Sequence, residues 1–115
     1  MDSEKIEKIL KEKQGSAFYI KRYIKYLSLC TERNAKNTNG FFEAHHICPK
    51  AKDLYPEYKS FKENPWNKIK LTPRQHIFAH LILSKIFPES KSCKLALFQM
   101  LIKSINYLII DYCLL

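Results

Sequence analysis

The four histidines of this 115-residue chain all lie between positions 45 and 80. They form an adjacent pair, His45 and His46, and a second pair four residues apart, His76 and His80. Residues i and i+4 lie above one another on a helix face, so His76 and His80 can converge on one point. Neutral imidazoles at that spacing bind divalent transition metals well. The same spacing also suits two histidines packed into an apolar helix, and the helix pair alone does not decide between the two.

The adjacent pair, His45 and His46, suggests proton transfer in addition to metal binding. Residues 41–47 are predicted to form a strand, in which neighbouring side chains project to opposite sides. His45 and His46 therefore cannot easily do the same job: one can complete a metal site while the other acts on a proton. An imidazole with a pKa near neutrality suits a general base that takes a proton from water. A metal ion can stabilise charge on a phosphate, so the pattern provides both parts that phosphodiester hydrolysis needs.

The elements that must position these histidines follow from local patterns. Residues 68–71 alternate polar and apolar side chains and predict a short strand. Thr72 to Gln75 is a strong helix start, with an N-cap, a proline at the first helical position and a capping box. This helix should run to about Phe87. Residues 48–66 hold three prolines and several aromatic residues without a clear period, which predicts a long loop.

Further helices are expected on both sides of this segment. The first should cover residues 3–14, with Ser3 as N-cap and Gly15 as its stop, and the second residues 17–33. The fold class expected is therefore α+β. Residues 1–40 should form an N-terminal helical region, 41–87 the core and 88–115 a C-terminal helical extension.

The C-terminal extension, a helix expected to begin at Glu89 or Ser90, is very apolar from Leu95 onward. Lys103 and Asp111 interrupt it, so a run of about 20 apolar residues is missing. A buried or oligomer-forming helix is favoured over a membrane segment.

Charge and cysteine usage limit the function classes. The chain has 20 Lys and Arg against 11 Asp and Glu, a net charge of +9. This surplus favours nucleic acid as a partner, and an anionic membrane surface second. The four cysteines lie far apart without a Cys-x-x-Cys pair. Their spacing argues against a zinc ribbon or a secreted disulfide scaffold and indicates a reducing, intracellular location.

The histidines and their neighbours resemble a known motif. Residues 43–50 read Glu-Ala-His-His-Ile-Cys-Pro-Lys, and Asn67 precedes His76 by nine residues. This pattern resembles the HNH endonucleases, and most closely the His-His-Ile-x-Pro type of phage and mobile-element proteins. The resemblance covers about residues 41–87. It implies a ββα-metal core, in which two strands joined by a loop and one helix hold a single divalent ion.

The resemblance also implies roles for individual residues. His45, His76 and His80 would bind the metal, and His46 would be the general base. Asn67 would tie the loop together and help hold the base, although Asn64 is a rival for that position. Asn67 is preferred because it opens the second strand. With three imidazoles as ligands, zinc, nickel or manganese suits the site as well as magnesium.

The function implied is metal-dependent cleavage or nicking of double-stranded DNA, with a homing-type enzyme as one option. Basic side chains around the motif would contact phosphates, and the first candidates are Lys50, Lys52, Lys68, Lys70 and Arg74. Arg74 is the preferred phosphate clamp. Trp66 is expected to pack under the loop more readily than to stack on a base.

Three alternatives stay open at this point. The chain could be a catalytically inactive DNA-binding module that keeps a structural metal. Cys48 could join His45 and the helix histidines in a closed zinc site without an open position. The chain could also be a structural zinc protein that acts through contacts with a partner. As a nuclease, the protein could act as a homodimer.

Overall fold

The computed structural model describes residues 1–37 and 39–114. Within these ranges the chain forms four α-helices and one two-stranded antiparallel sheet, which confirms the α+β prediction. Two 3-10 turns, Pro56–Tyr58 and Pro65–Asn67, lie in the loop between the strands. The elements in chain order are α1 (Ser3–Glu12), α2 (Ala17–Ala35), β1 (Glu43–His46), β2 (Lys68–Leu71), α3 (Pro73–Ile86) and α4 (Lys91–Cys113).

The start of α3 matches its prediction in full. The Thr72 hydroxyl accepts a hydrogen bond from the backbone N–H of Gln75, and the Gln75 side chain accepts one from the backbone N–H of Thr72. Pro73 occupies the first helical position, where it has no hydrogen bond to lose. This reciprocal cap fixes the first turn of α3 and therefore the position of His76 within it.

Three predicted boundaries were wrong. The N-cap of α1 is Asp2, whose carboxylate accepts from the backbone N–H of Lys5, and not Ser3. The helix ends at Glu12 because the chain turns two residues later, where Gln14 adopts a φ of 58°. Strand β1 is shorter than residues 41–47 because β2 offers only four partners, from Leu71 opposite Glu43 to Lys68 opposite His46.

The core forms where α2 packs against α1, β2 and α3. Its largest fully buried side chains include Tyr23 and Leu27 of α2 and Leu83 of α3. Two polar residues, His45 and Asn67, are buried among them. Buried polar groups are stable only when they are hydrogen-bonded, so the partners of these two residues define the functional site.

Helix α4 departs from the expectation of a buried helix. It packs against α3, but most of its large apolar side chains are exposed. Within the described residues it is the one helix long and apolar enough to cross a membrane, despite Lys103 and Asp111. This property follows from its length and composition.

Candidate metal centre

Three histidines converge between β1 and α3. One ligand atom each from His45, His76 and His80, here called the histidine trio, lies within 4.8 Å of the other two. Their ring centroids are 4.9 to 5.0 Å apart. Two nitrogens bound tetrahedrally to zinc at about 2.1 Å are about 3.4 Å apart. Small side-chain rotations therefore suffice for the trio to hold one metal ion.

Burial keeps two members of the trio, His45 and His80, in the form that binds metal. His45 is 1% exposed, and burial lowers its pKa well below the usual range, with His80 and His76 acting in the same direction. Burial, helped by His76, also lowers the pKa of His80 to about 4. Imidazole binds a metal only when it is neutral. These two histidines are therefore neutral at physiological pH without any ion present.

Tyr23 of α2 orients His45. Its hydroxyl lies 2.7 Å from the carbonyl oxygen of Ile47 and 2.8 Å from Nε2 of His45. The carbonyl oxygen can only accept, so Tyr23 donates its single proton there. Nε2–H of His45 must then donate to the tyrosine oxygen, which leaves the Nδ1 lone pair free for a metal. Sequence reasoning missed Tyr23, and nothing in its apolar helical spacing indicates a partner 22 residues away.

Glu43 plays the same part for His76. Its Oε1 atom lies 3.1 Å from Nδ1 of His76, and Lys103 of α4 lies 3.8 Å from its Oε2 atom. A carboxylate accepts the Nδ1–H bond, which leaves Nε2 of His76 free for a metal. Such outer partners fix ring orientation at metal sites. Glu43 precedes His45 by two residues in β1, so strand periodicity could have indicated it.

His46 stands apart from the trio on the other face of β1. Its Nε2 atom lies 2.9 Å from the carbonyl oxygen of Lys59, and its ring stacks on Phe61 with centroids 4.0 Å apart. The carbonyl accepts, so Nε2 carries the proton and Nδ1 keeps a lone pair. Burial lowers the pKa of His46, and the positive charge of Lys50 acts in the same direction. His46 is therefore neutral near pH 7 and can accept a proton.

Asn67 ties the loop to the end of β1. Its Oδ1 atom accepts from the backbone N–H of Cys48, and its Nδ2 atom donates to the carbonyl oxygens of Cys48 and Tyr58. The adjacent carbonyl, that of Lys59, is the one that holds His46. The Asn64 side chain instead donates to a nearby loop carbonyl, that of Ser60. Asn67 ends the 3-10 turn before β2 and does not lie in the strand itself.

One cavity collects the reactive side chains. His46, His76 and His80 line a space of about 380 Å³, and Lys50 lies on its wall. The candidate base, two candidate ligands and one cationic side chain thus face the same volume. A phosphate group bound there would meet both a proton acceptor and positive charge.

Cys48 is not part of this arrangement. It is fully buried in the core, and burial raises the pKa of its thiol to about 12. Among the described residues, the group that could hold a metal consists of the trio alone. The geometry therefore does not favour a closed site with a cysteine ligand.

The residues predicted to contact DNA lie on different surfaces of the protein. Lys68 lies opposite His46 in the sheet, and its Nζ atom is 5.6 Å from the Phe61 ring centre. Arg74 lines a separate groove of about 720 Å³ together with Arg33 and Tyr26. Lys50 therefore lines the cavity beside the trio, whereas Arg74 lines a different groove.

The remaining candidates lie away from the cavity. Lys52 is exposed on the loop, and Lys70 shares a groove with Lys68 and Trp66. Trp66 is partly buried, packs edge-on against Tyr58 and carries the Lys5 ammonium over its ring at 4.2 Å. These contacts are those of a side chain that packs under the loop.

Comparison with protein families, curated proteins and solved structures finds no match to this chain. The function is therefore inferred from the geometry of its own side chains.

Proposed function

We propose that this protein is a metal-dependent endonuclease of the HNH type that hydrolyses DNA phosphodiester bonds. In this proposal β1, the loop, β2 and α3 form a ββα-metal core. One observation carries it: three imidazoles converge on one point, and a fourth, His46, lines a cavity together with two of them, His76 and His80, while its own proton is held by a backbone carbonyl. A structural site would not need that fourth imidazole.

His46 supplies the base chemistry. The Nδ1 lone pair takes a proton from a water molecule, whose oxygen attacks the phosphorus while the bond from phosphorus to the leaving oxygen of the DNA strand breaks. The resulting imidazolium keeps its Nε2–H bond to the carbonyl oxygen of Lys59, and the leaving oxygen takes a proton from solvent. The stacked Phe61 ring holds the imidazole plane during this transfer. A base of this type contributes about 10² to 10⁴-fold to a hydrolysis rate. Lys50 offers a cation to the phosphate at the wall of the cavity.

The trio fits a divalent ion by its donor chemistry. All three donors are imidazole nitrogens, and two of them have their second nitrogen hydrogen-bonded to Tyr23 or Glu43. When bound, the ion supplies a Lewis acid that stabilises charge on the phosphate and on the leaving oxygen. Nitrogen donors favour zinc or nickel over magnesium and manganese, which prefer oxygen ligands.

Double-stranded DNA is the substrate that charge favours. The net charge of +9 attracts the DNA backbone whatever its base sequence. All five residues predicted to contact DNA are exposed. The expected behaviour is cleavage with strong dependence on salt.

The test is cleavage of supercoiled plasmid by the metal-free protein after addition of zinc, nickel, manganese or magnesium. We expect nicked or linear product with a transition metal and none with chelator. His76→Ala should abolish both metal binding and cleavage, whereas Lys85→Ala, on an exposed turn of the same helix, should change neither. Metal-induced stabilisation without cleavage by any ion would instead identify an inactive module with a structural metal.

A further inference from the structure

Helix α4 carries an exposed stripe of apolar side chains with regular spacing. The members of this apolar stripe recur at alternating intervals of three and four residues, and each is at least 41% exposed. They are Leu95, Phe98, Ile102, Ile105, Ile109 and Tyr112. Alternation of three and four is the heptad spacing of a and d positions in coiled coils. The stripe therefore has the pattern of a seam for a second helix.

The stripe faces away from the body of the protein. The residues of α4 that are covered include Cys93, Leu97, Met100 and Ser104, which also recur at intervals of three and four. At 100° per residue, these covered positions centre on the side of the helix opposite to the stripe. Helix α3 packs against α4, and the side of α4 that carries the stripe is exposed. One helix thus presents two seams, of which the chain itself fills one.

We infer that the apolar stripe binds the same stripe of a second copy, so that two chains associate through paired α4 helices. The exposed area of its six side chains, with the flanking Leu101 and Leu108, is on the order of 800 Å² per chain, the share each partner contributes to a standard stable interface. The flanking Lys94, Gln99 and Asn106 introduce a single charge, so two copies meet without strong repulsion along the seam.

A membrane fits the same helix less well. A spanning helix is apolar all round, whereas α4 places Lys103, Ser104 and Asp111 outside the stripe. Lys103 also lies 3.8 Å from the Glu43 carboxylate of β1, which ties the middle of α4 to the sheet. Insertion would break that contact and bring charged side chains into hydrocarbon. This inference does not depend on the proposed nuclease activity.

Two adjacent isoleucines provide a matched test. Ile109 and Ile110 are both 55% exposed, but only Ile109 belongs to the stripe. The wild-type protein should sediment with the mass of two chains at micromolar concentration. Ile109→Glu should raise the dimer dissociation constant by roughly 30-fold or more, because it places an unpaired charge within the apolar seam. Ile110→Glu should leave the dissociation constant within about threefold of wild type.

The measurements are analytical ultracentrifugation for association and circular dichroism to confirm that both variants fold. Flotation with vesicles of phosphatidylcholine and phosphatidylglycerol tests the membrane. A wild-type mass of one chain would overturn the inference. Equal weakening of self-association by the two substitutions would also overturn it, and so would vesicle binding that both substitutions reduce equally.

Discussion

The Nε2 atom of His46 lies 2.9 Å from the carbonyl oxygen of Lys59. A backbone carbonyl has no proton to give, so this contact places the imidazole proton on Nε2 and the lone pair on Nδ1. The strand supplies the imidazole and the loop supplies its acceptor. Asn67, which bonds the carbonyl one residue earlier, fixes the distance between them. The hydrogen bond between loop and strand therefore fixes a single tautomer of His46.

His46→Ala should separate chemistry from metal binding. We expect a loss of about 10² to 10⁴-fold in cleavage rate, because the proton acceptor is removed. The metal dissociation constant should change little, since His46 lies outside the trio. Plasmid cleavage and isothermal titration of zinc on the same preparation measure the two effects. Cleavage that persists unchanged in this variant would show that another group is the base.

Tyr23→Phe should weaken the metal centre from a distance. The variant leaves the carbonyl of Ile47 and Nε2 of His45 without their partner, at a cost of about 1–3 kcal/mol in the free energy of unfolding. Metal affinity should fall about 10 to 100-fold, because the ring of His45 is no longer oriented.

Tyr55→Phe is the matched control for this prediction. Its hydroxyl is also buried and donates to a backbone carbonyl, that of Ile9, but it contacts no member of the trio. This variant should lose stability and keep its metal affinity. Equal affinity losses in Tyr23→Phe and Tyr55→Phe would contradict an orienting role for Tyr23.

The two candidate central asparagines should respond very differently to alanine. Asn67→Ala removes three hydrogen bonds, all to backbone groups of Cys48 and Tyr58, and should cost about 3 kcal/mol or more. Asn64→Ala removes one side-chain bond at the surface and should cost less than about 1 kcal/mol. Urea unfolding of both variants measures the difference. A larger loss in Asn64→Ala would reverse the assignment.

The metal-free protein should lose stability as the pH falls from about 6.5 to about 4. The pKa of His80 is lowered from 6.5 to about 4, so in this window the unfolded chain binds a proton that the folded chain does not. Stability is therefore complete above pH 6.5 and declines by at most about 1.4 kcal/mol per pH unit for each such histidine. His45, whose pKa is also lowered, acts in the same direction.

Carboxylates titrate near the same window, so a comparison isolates the histidine. His80→Gln should show a shallower decline of unfolding free energy between pH 6.5 and 4 than the wild type. Parallel pH profiles for the two proteins would contradict a buried, neutral His80.

Local patterns predicted most of the elements. The capping box at Thr72 and Gln75 involves residues three apart, so its geometry is contained in the sequence. The helical spacing of His76 and His80 and the alternation of His45 and His46 in a strand are equally local. The strand predicted over residues 41–47 came out too long because pairing length depends on β2, which lies 22 residues further along the chain.

Contacts between distant elements could not be predicted in this way. Tyr23 reaches His45 only because α2 packs across the sheet, and a tyrosine on an apolar helix face has no feature that distinguishes this contact. Arg74 lies only two residues before His76, and this spacing places the two side chains on different faces of α3. Proximity in sequence to a ligand therefore did not imply proximity to the cavity.

The most direct measurement is X-ray absorption at the zinc edge of the protein loaded with one equivalent of zinc. Three imidazole nitrogens at about 2.0–2.1 Å, with the remaining coordination from light-atom solvent or buffer ligands, is the expected first shell. The same spectrum of His76→Ala should lose imidazole scattering. A sulfur ligand at about 2.3 Å, or fewer than three imidazoles in the wild type, would contradict a metal centre built from His45, His76 and His80.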